Sequence, residues 1–214
     1  MERIVEMEQA EKTLQKYNVE VSEGKISTTK SIFYPPGGLL IWIVIYLELL
    51  TFGLGFVALA YYGATARAVF HQDSLMLNKT FGTINTILLL TGGYFAARGL
   101  HSFRKAQFPQ TAQSLLFAMV LGVGFLIVKG VEYYLKWEAG LGMDYSTFYI
   151  FYWLMTGFHW IHVLVGIAIL AVLRQQILRK KPTTKLEDFE AGISFWHMCD
   201  IIWLLLFPIL YLLF

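Results

Sequence analysis

The chain has 214 residues, of which 57% are hydrophobic, 16% aromatic and only 15% charged, where a soluble domain carries about a quarter charged residues. That balance excludes an ordinary soluble domain and points to a membrane protein. The formal net charge of +2 arises from basic residues scattered between apolar runs rather than gathered in a patch, so no nucleic-acid partner is expected.

Residues 1–37 are mixed in charge and lack the apolar core of a signal peptide, so they read as a cytoplasmic amino-terminal segment with a short amphipathic helix over 4–17. Pro35-Pro36-Gly37-Gly38 then breaks any preceding helix. Crossing a hydrocarbon layer roughly 30 Å thick takes about 20 apolar residues in helical form. Runs of that length lie at 38–63, 81–103, 112–135, 146–173 and 191–214. They must be helices, because lipid offers backbone groups no partner and the alternation of barrel strands is missing. The expected fold is an all-α integral membrane protein, with residues 38–214 forming a five-transmembrane-helix bundle. Cys199 is the single cysteine, so disulfides play no part.

Basic residues accumulate on the cytoplasmic side of membrane helices. Arg3, Lys12, Lys16, Lys25, Lys30, Arg98, Arg104, Lys105, Arg174, Arg179, Lys180, Lys181 and Lys185 fall on one side of a five-span chain, against Arg67, Lys79, Lys129 and Lys136 on the other. This distribution predicts a cytoplasmic amino terminus and a periplasmic carboxyl terminus.

Ionisable groups inside the spans cost about 2.5–3.5 kcal/mol each at mid-membrane and therefore need a partner or a function. Glu48 sits midway along the first run with no basic residue on its own helix, as a proton-accepting or lipid-contacting carboxyl group, or as an acid bonded to a neighbouring helix. His159 and His162 share a helix face by their spacing, and His197 and Asp200 repeat it in the last run. Metal or haem ligation is one reading of these groups. The spacing departs from paired-histidine zinc motifs, and bulky Trp153, Trp160, Trp196 and Trp203 crowd the region, which favours an interhelical hydrogen-bond network. Lys129 and Glu132 are spaced for an ion pair whose lysine stem can snorkel. Asn85 and Thr86 are expected to bond across helices, Thr91-Gly92-Gly93 to permit close approach, and His71 and His101 to be interfacial.

The residues of this polar seam carry a resemblance. The stretch from Thr156-Gly157-Phe158-His159 through His162-Val163 to Gly166, the pair Glu190-Ala191, and Trp196-His197-Met198-Cys199-Asp200-Ile201-Ile202-Trp203 resemble subunit III of the haem-copper oxidases. Glu132-Tyr133, Asn85-Thr86-Ile87-Leu88-Leu89 and Glu48 extend the likeness from residue 39 to 214. The chain lacks the two helices that open mitochondrial-type members and is similar to short bacterial forms, including the accessory proteins of nitric oxide reductases.

The resemblance implies a subunit without cofactor or metal of its own, in a proton-pumping terminal oxidase of aerobic respiration in the bacterial inner membrane. Haem and copper would lie in partner subunits I and II, phospholipid would be bound beside Glu48, and a larger supercomplex is conceivable in that setting. No catalytic residue is implied; Asn85, Glu132, His159, His162, His197 and Asp200 would form the polar network. Two other classes compete: an independent di-haem electron carrier using His159, His162 and His197, and a small transporter, for which repeat symmetry is missing.

Overall fold

The computed structural model describes residues 38–179 and 185–213. The segment 1–37, with the amphipathic helix expected at 4–17, lies outside the described residues, as does Lys180-Lys181-Pro182. Six helices follow in order: α1 (Leu39–Thr65), α2 (Arg67–Leu75), α3 (Lys79–Arg104), α4 (Phe108–Glu138), α5 (Thr147–Leu178) and α6 (Leu186–Tyr211). The ends are set locally. Asn78 caps α3 by accepting from Thr80 N at 2.9 Å, and Ser146 caps α5 by accepting from Tyr149 N at 3.3 Å. Gly140, at φ 72°, closes α4 with a Schellman pattern in which Leu141 N donates to Lys136 O.

Two features differ from the expectation. The short helix α2 fills the first connection. More importantly, four helices, α1, α4, α5 and α6, are long and apolar enough to cross a membrane, and α3 is not. The five-transmembrane-helix bundle is thus corrected, among the described residues, to six helices, four of them of spanning character, and the odd count that placed the two ends on opposite faces no longer holds. The reason lies in composition. Helix α3 is 26 residues long, but apart from Leu89 its inward face is made of Gly82, Asn85, Gly92, Gly93, Ala96, Gly99 and Ser102, and threonines and Arg98 interrupt the remainder. Small residues pass as apolar in an uninterrupted run yet contribute little hydropathy.

Those small residues make room for the core. Helices α3 to α6 pack around one another, α3 on α4, α4 on α5, α5 on α6 and α6 back on α3. Trp196 of α6 is fully buried among them. A Cβ at Gly92, Gly122 or Gly166 would come within 3.3, 2.6 or 3.2 Å of its ring, so glycines of three helices form the socket for one indole. Helix α1 lies outside this ring against α5 and α6. Only 11% of its apolar window is buried, against 56% for α6, which leaves α1 the helix least committed to the bundle.

Candidate functional site

Three sets of ionisable groups stand out. The first is closed. Lys129 Nζ donates to Glu132 Oε2 at 3.0 Å, to Tyr152 Oη at 3.2 Å and to Tyr211 Oη at 2.7 Å. Both phenols in turn donate to Glu132 Oε1, at 3.0 and 2.7 Å. Every proton of the ammonium is used and both carboxylate oxygens are occupied. The rings of Tyr133, Tyr152, Tyr211 and Trp203 lie 4.6–5.6 Å from the nitrogen, close enough for cation–π attraction. Lys129 has no exposed surface, so it does not snorkel. The cluster ties α4, α5 and α6 together.

The second set joins α1 to α5. His162 Nε2 lies 3.2 Å from Glu48 Oε2, within ion-pair distance but without hydrogen-bond alignment, since that oxygen has no hydrogen-bond partner. His162 Nδ1 faces the Phe158 carbonyl at 2.8 Å. A carbonyl only accepts, so Nδ1 carries a hydrogen and Nε2 is the atom turned to the carboxyl group. Phe52, one turn beyond Glu48, packs against Phe158, His159 and His162. Beside it an apolar cavity of about 290 Å³ opens between α1 and α5, bordered by Thr51, Phe52, Gly55, Met155 and Phe158.

The third set lies on α6 against α3. His197 Nδ1 and Asp200 Oδ2 are 3.1 Å apart, and a Cβ on Gly93 of α3 would sit 2.2 Å from that oxygen. Gly93 thus admits the Asp200 side chain, while Gly92 faces both the Trp196 ring, 3.3 Å from a Cβ there, and the Ala118 carbonyl of α4 at 3.6 Å.

His159 belongs to none of these sets. It is completely buried, with its ring stacked on Trp203 and edge-on to Phe125, and neither nitrogen has a hydrogen-bond partner. Asn85 is equally buried and its amide is also unpartnered, while its neighbour Thr86 accepts from Trp203 Nε1 at 3.0 Å. His71 and His101 are exposed. Among the described residues no three His, Cys, Asp or Glu side chains converge as a metal site; the imidazoles expected to act together are held in separate settings.

Tyr152 and Tyr211 were not singled out in the sequence, although one signal was there. Tyr145, Tyr149, Tyr152, Thr156 and His159 recur at three- and four-residue spacing, the period of one helix face. Arg104, at the end of α3, was counted only as a topology signal, yet it donates to the buried Glu190 at 2.9 Å.

Fold and site together define a multi-pass, all-helical membrane protein whose polar groups bind helix to helix. The family model for cytochrome c oxidase subunit III matches residues 76–213, which covers α3 to α6 with all of the first and third sets. The chain belongs to the cytochrome c oxidase subunit III family. Similar proteins include cytochrome c oxidase subunit 3 of Pelomedusa subrufa, 33% identical over 129 residues, and that of Salmo salar, 34% identical over 130 residues. In each case the match covers 60% of this chain and 48% of the relative, so the chain spans about half the length of the curated relatives it matches. The subunit of Drosophila yakuba matches at 33% over 129 residues. These relatives are animal proteins, and this overturns the expected bacterial inner membrane; multi-pass membrane character stands. The family match begins beyond α1 and does not include Glu48.

Proposed function

We propose that this chain is a subunit, without haem or copper of its own, of a haem-copper oxidoreductase, packed against the metal-bearing catalytic subunit I and in company with subunit II. The match to subunit III across α3 to α6 is the observation that carries this reading. Oxygen reduction belongs to the partner; the chain supports proton uptake and prolongs the life of the catalytic centre. Glu48 acts beside a bound phospholipid, through lipid contact and helix packing rather than as an obligatory relay. Its position at the α1–α5 edge, opposite His162 and one helical turn from Phe52, which borders an apolar cavity, supports that role, since an acyl chain can lie along such an apolar surface.

The test is Glu48→Gln in the purified complex, with pumped protons per electron and catalytic lifetime as readouts. Oxygen reduction persists while pumping or lifetime falls; complete loss of oxygen reduction overturns the assignment. Metal analysis of the co-purifying polypeptides, with oxygen and nitric oxide as alternative acceptors, separates an oxidase from a nitric oxide reductase.

A further inference from the structure

Helix α1 is held unevenly along its length. From Leu39 to Thr51 the one buried residue is Ile45, and Leu40, Tyr46, Leu47 and Leu50 are 57–78% exposed. The carboxyl-terminal half is anchored. Leu59 and Gly63 are buried, and Tyr62 packs on Phe151 of α5 with ring centroids 5.8 Å apart. After Ala66 the chain enters α2, whose Phe70 meets Phe148 of α5 at 5.5 Å and whose Asp73 accepts from Ser146 at 2.6 Å.

The two halves meet at Thr51-Phe52-Gly53-Leu54-Gly55. Glycine weakens a helix interior, and glycines are among the places where long helices bend. The glycines of the Trp196 socket are required by a close neighbour, but a Cβ at Gly53 would find nothing within 4 Å. What Gly53 brings is backbone freedom. A Cβ at Gly55 would come nearest to the flexible side chain of Met155, at 3.0 Å. Thr51, Phe52 and Gly55 border the cavity of about 290 Å³ between α1 and α5, so the bundle is loosely filled where the backbone is freest. Ahead of this point Glu48 faces His162 at 3.2 Å, and the Phe158 carbonyl holds the imidazole in place. A single polar contact between membrane helices is a weak tie that can open and reform.

We infer that the amino-terminal part of α1, Leu39–Thr51, is a swinging arm, hinged at Gly53 and Gly55 and latched to α5 by the contact between Glu48 and His162. A few positions at the hinge absorb the change while the elements on either side stay rigid. Phe52 adjoins the hinge and keeps its ring against Phe158 and His162. The arm is roughly 20 Å long at 1.5 Å per residue, so a bend of about 20° at the glycines moves Leu40 by about 7 Å. Opening widens the cavity between α1 and α5; closing brings Glu48 back to His162. The arm deepens the reading of Glu48 by giving its packing role a moving part, and it rests on that reading only for its consequence in the complex.

The test measures distances between nitroxide labels by pulsed electron paramagnetic resonance, in the full chain in lipid nanodiscs with Cys199→Ala as background. One pair, Leu40→Cys with Val172→Cys, joins the arm to α5; the control pair, Tyr61→Cys with Leu154→Cys, joins the anchored half to α5, and all four positions are exposed. In this background the arm pair gives the broader distribution, and Gly53→Ala narrows it. His162→Leu adds a population displaced by about 7 Å and leaves the control pair unmoved, while His162→Gln, which keeps a polar group facing Glu48, suppresses that population. Gly53→Ala added to His162→Leu lowers the displaced population about threefold, the weight of one glycine-to-alanine exchange in a helix. Should His162→Leu not fold, Glu48→Leu breaks the contact from the other side and must give the same displacement. Equal widths for the two pairs, no displaced population, or an equal shift of the control pair overturns the inference. A displaced arm with pumping and lifetime unchanged in Glu48→Gln leaves the hinge standing and removes Glu48 from the proposed function; a fixed arm with either readout lowered does the reverse.

Discussion

Removal of Lys129 is the sharpest test of how the bundle is held. Its ammonium lies 3.0 Å from Glu132 and both side chains are 1% exposed. At that distance and an effective dielectric of about 20, the attraction is about 5 kcal/mol. In Lys129→Met, Glu132 Oε1 keeps its two phenol donors but Oε2 loses the lysine donor, leaving a buried charge uncompensated. A cost of about 3–5 kcal/mol is expected, the usual consequence of breaking a buried pair from one side. Glu132→Gln strands the lysine in the same way. Replacing both removes both charges, so Lys129→Met with Glu132→Gln should cost at least about 2 kcal/mol less than the two single losses together. Unfolding free energies in mixed detergent micelles, followed by tryptophan fluorescence, give all three values. Single losses below about 1 kcal/mol that add within about 0.5 kcal/mol would refute the closed-cluster account.

Gly122→Ala brings a methyl group to 2.6 Å from the Trp196 ring and 3.1 Å from Ile167, a clash that a buried indole cannot rotate away from; a loss of about 1–3 kcal/mol should appear in the same assay. Ala106 adopts φ 56° between α3 and α4, a left-handed conformation that costs a side chain about 1–2 kcal/mol, so Ala106→Gly should raise the midpoint of unfolding, and a lowered midpoint would show the turn to be unstrained. Ser146→Ala removes both the cap on α5 and the hydroxyl that donates to the buried Asp73 at 2.6 Å; about 1–2 kcal/mol should be lost, with earlier exchange of the first α5 amides.

Much of the architecture was visible in the sequence because long apolar runs have one solution in lipid. The run at 38–63 became Leu39–Thr65, and that at 112–135 became Phe108–Glu138. Helix α2, with sequence RAVFHQDSL, is too short and too mixed in polarity for such a signal. Helix α3 misled for the opposite reason: its length is right, but its glycines and threonines serve packing rather than hydropathy. The site was legible where spacing alone decides, as for Lys129 with Glu132 and His197 with Asp200. It was not legible where helices meet, since Tyr152 and Tyr211 lie 23 and 82 residues from Lys129. The carboxyl group of Glu48 was visible, and its imidazole partner was not.

The three polar sets differ in what they leave unmet, and that difference separates structure from function. Around Lys129 every donor and acceptor is used inside the chain, so the cluster can fasten α4, α5 and α6 but offers nothing to a visitor. At His162 and at His197 one ring nitrogen is tied down, by a backbone carbonyl in one case and a carboxylate in the other, and the second nitrogen is held in a fixed direction. At the α1–α5 edge that direction meets Glu48, on the helix least buried in the bundle; at the α3–α6 seam it meets no side chain among the described residues. Glu48 and His197 lie on two different faces, so Glu48→Gln should leave the His197–Asp200 pair in place and His197→Leu should leave the Glu48–His162 contact in place.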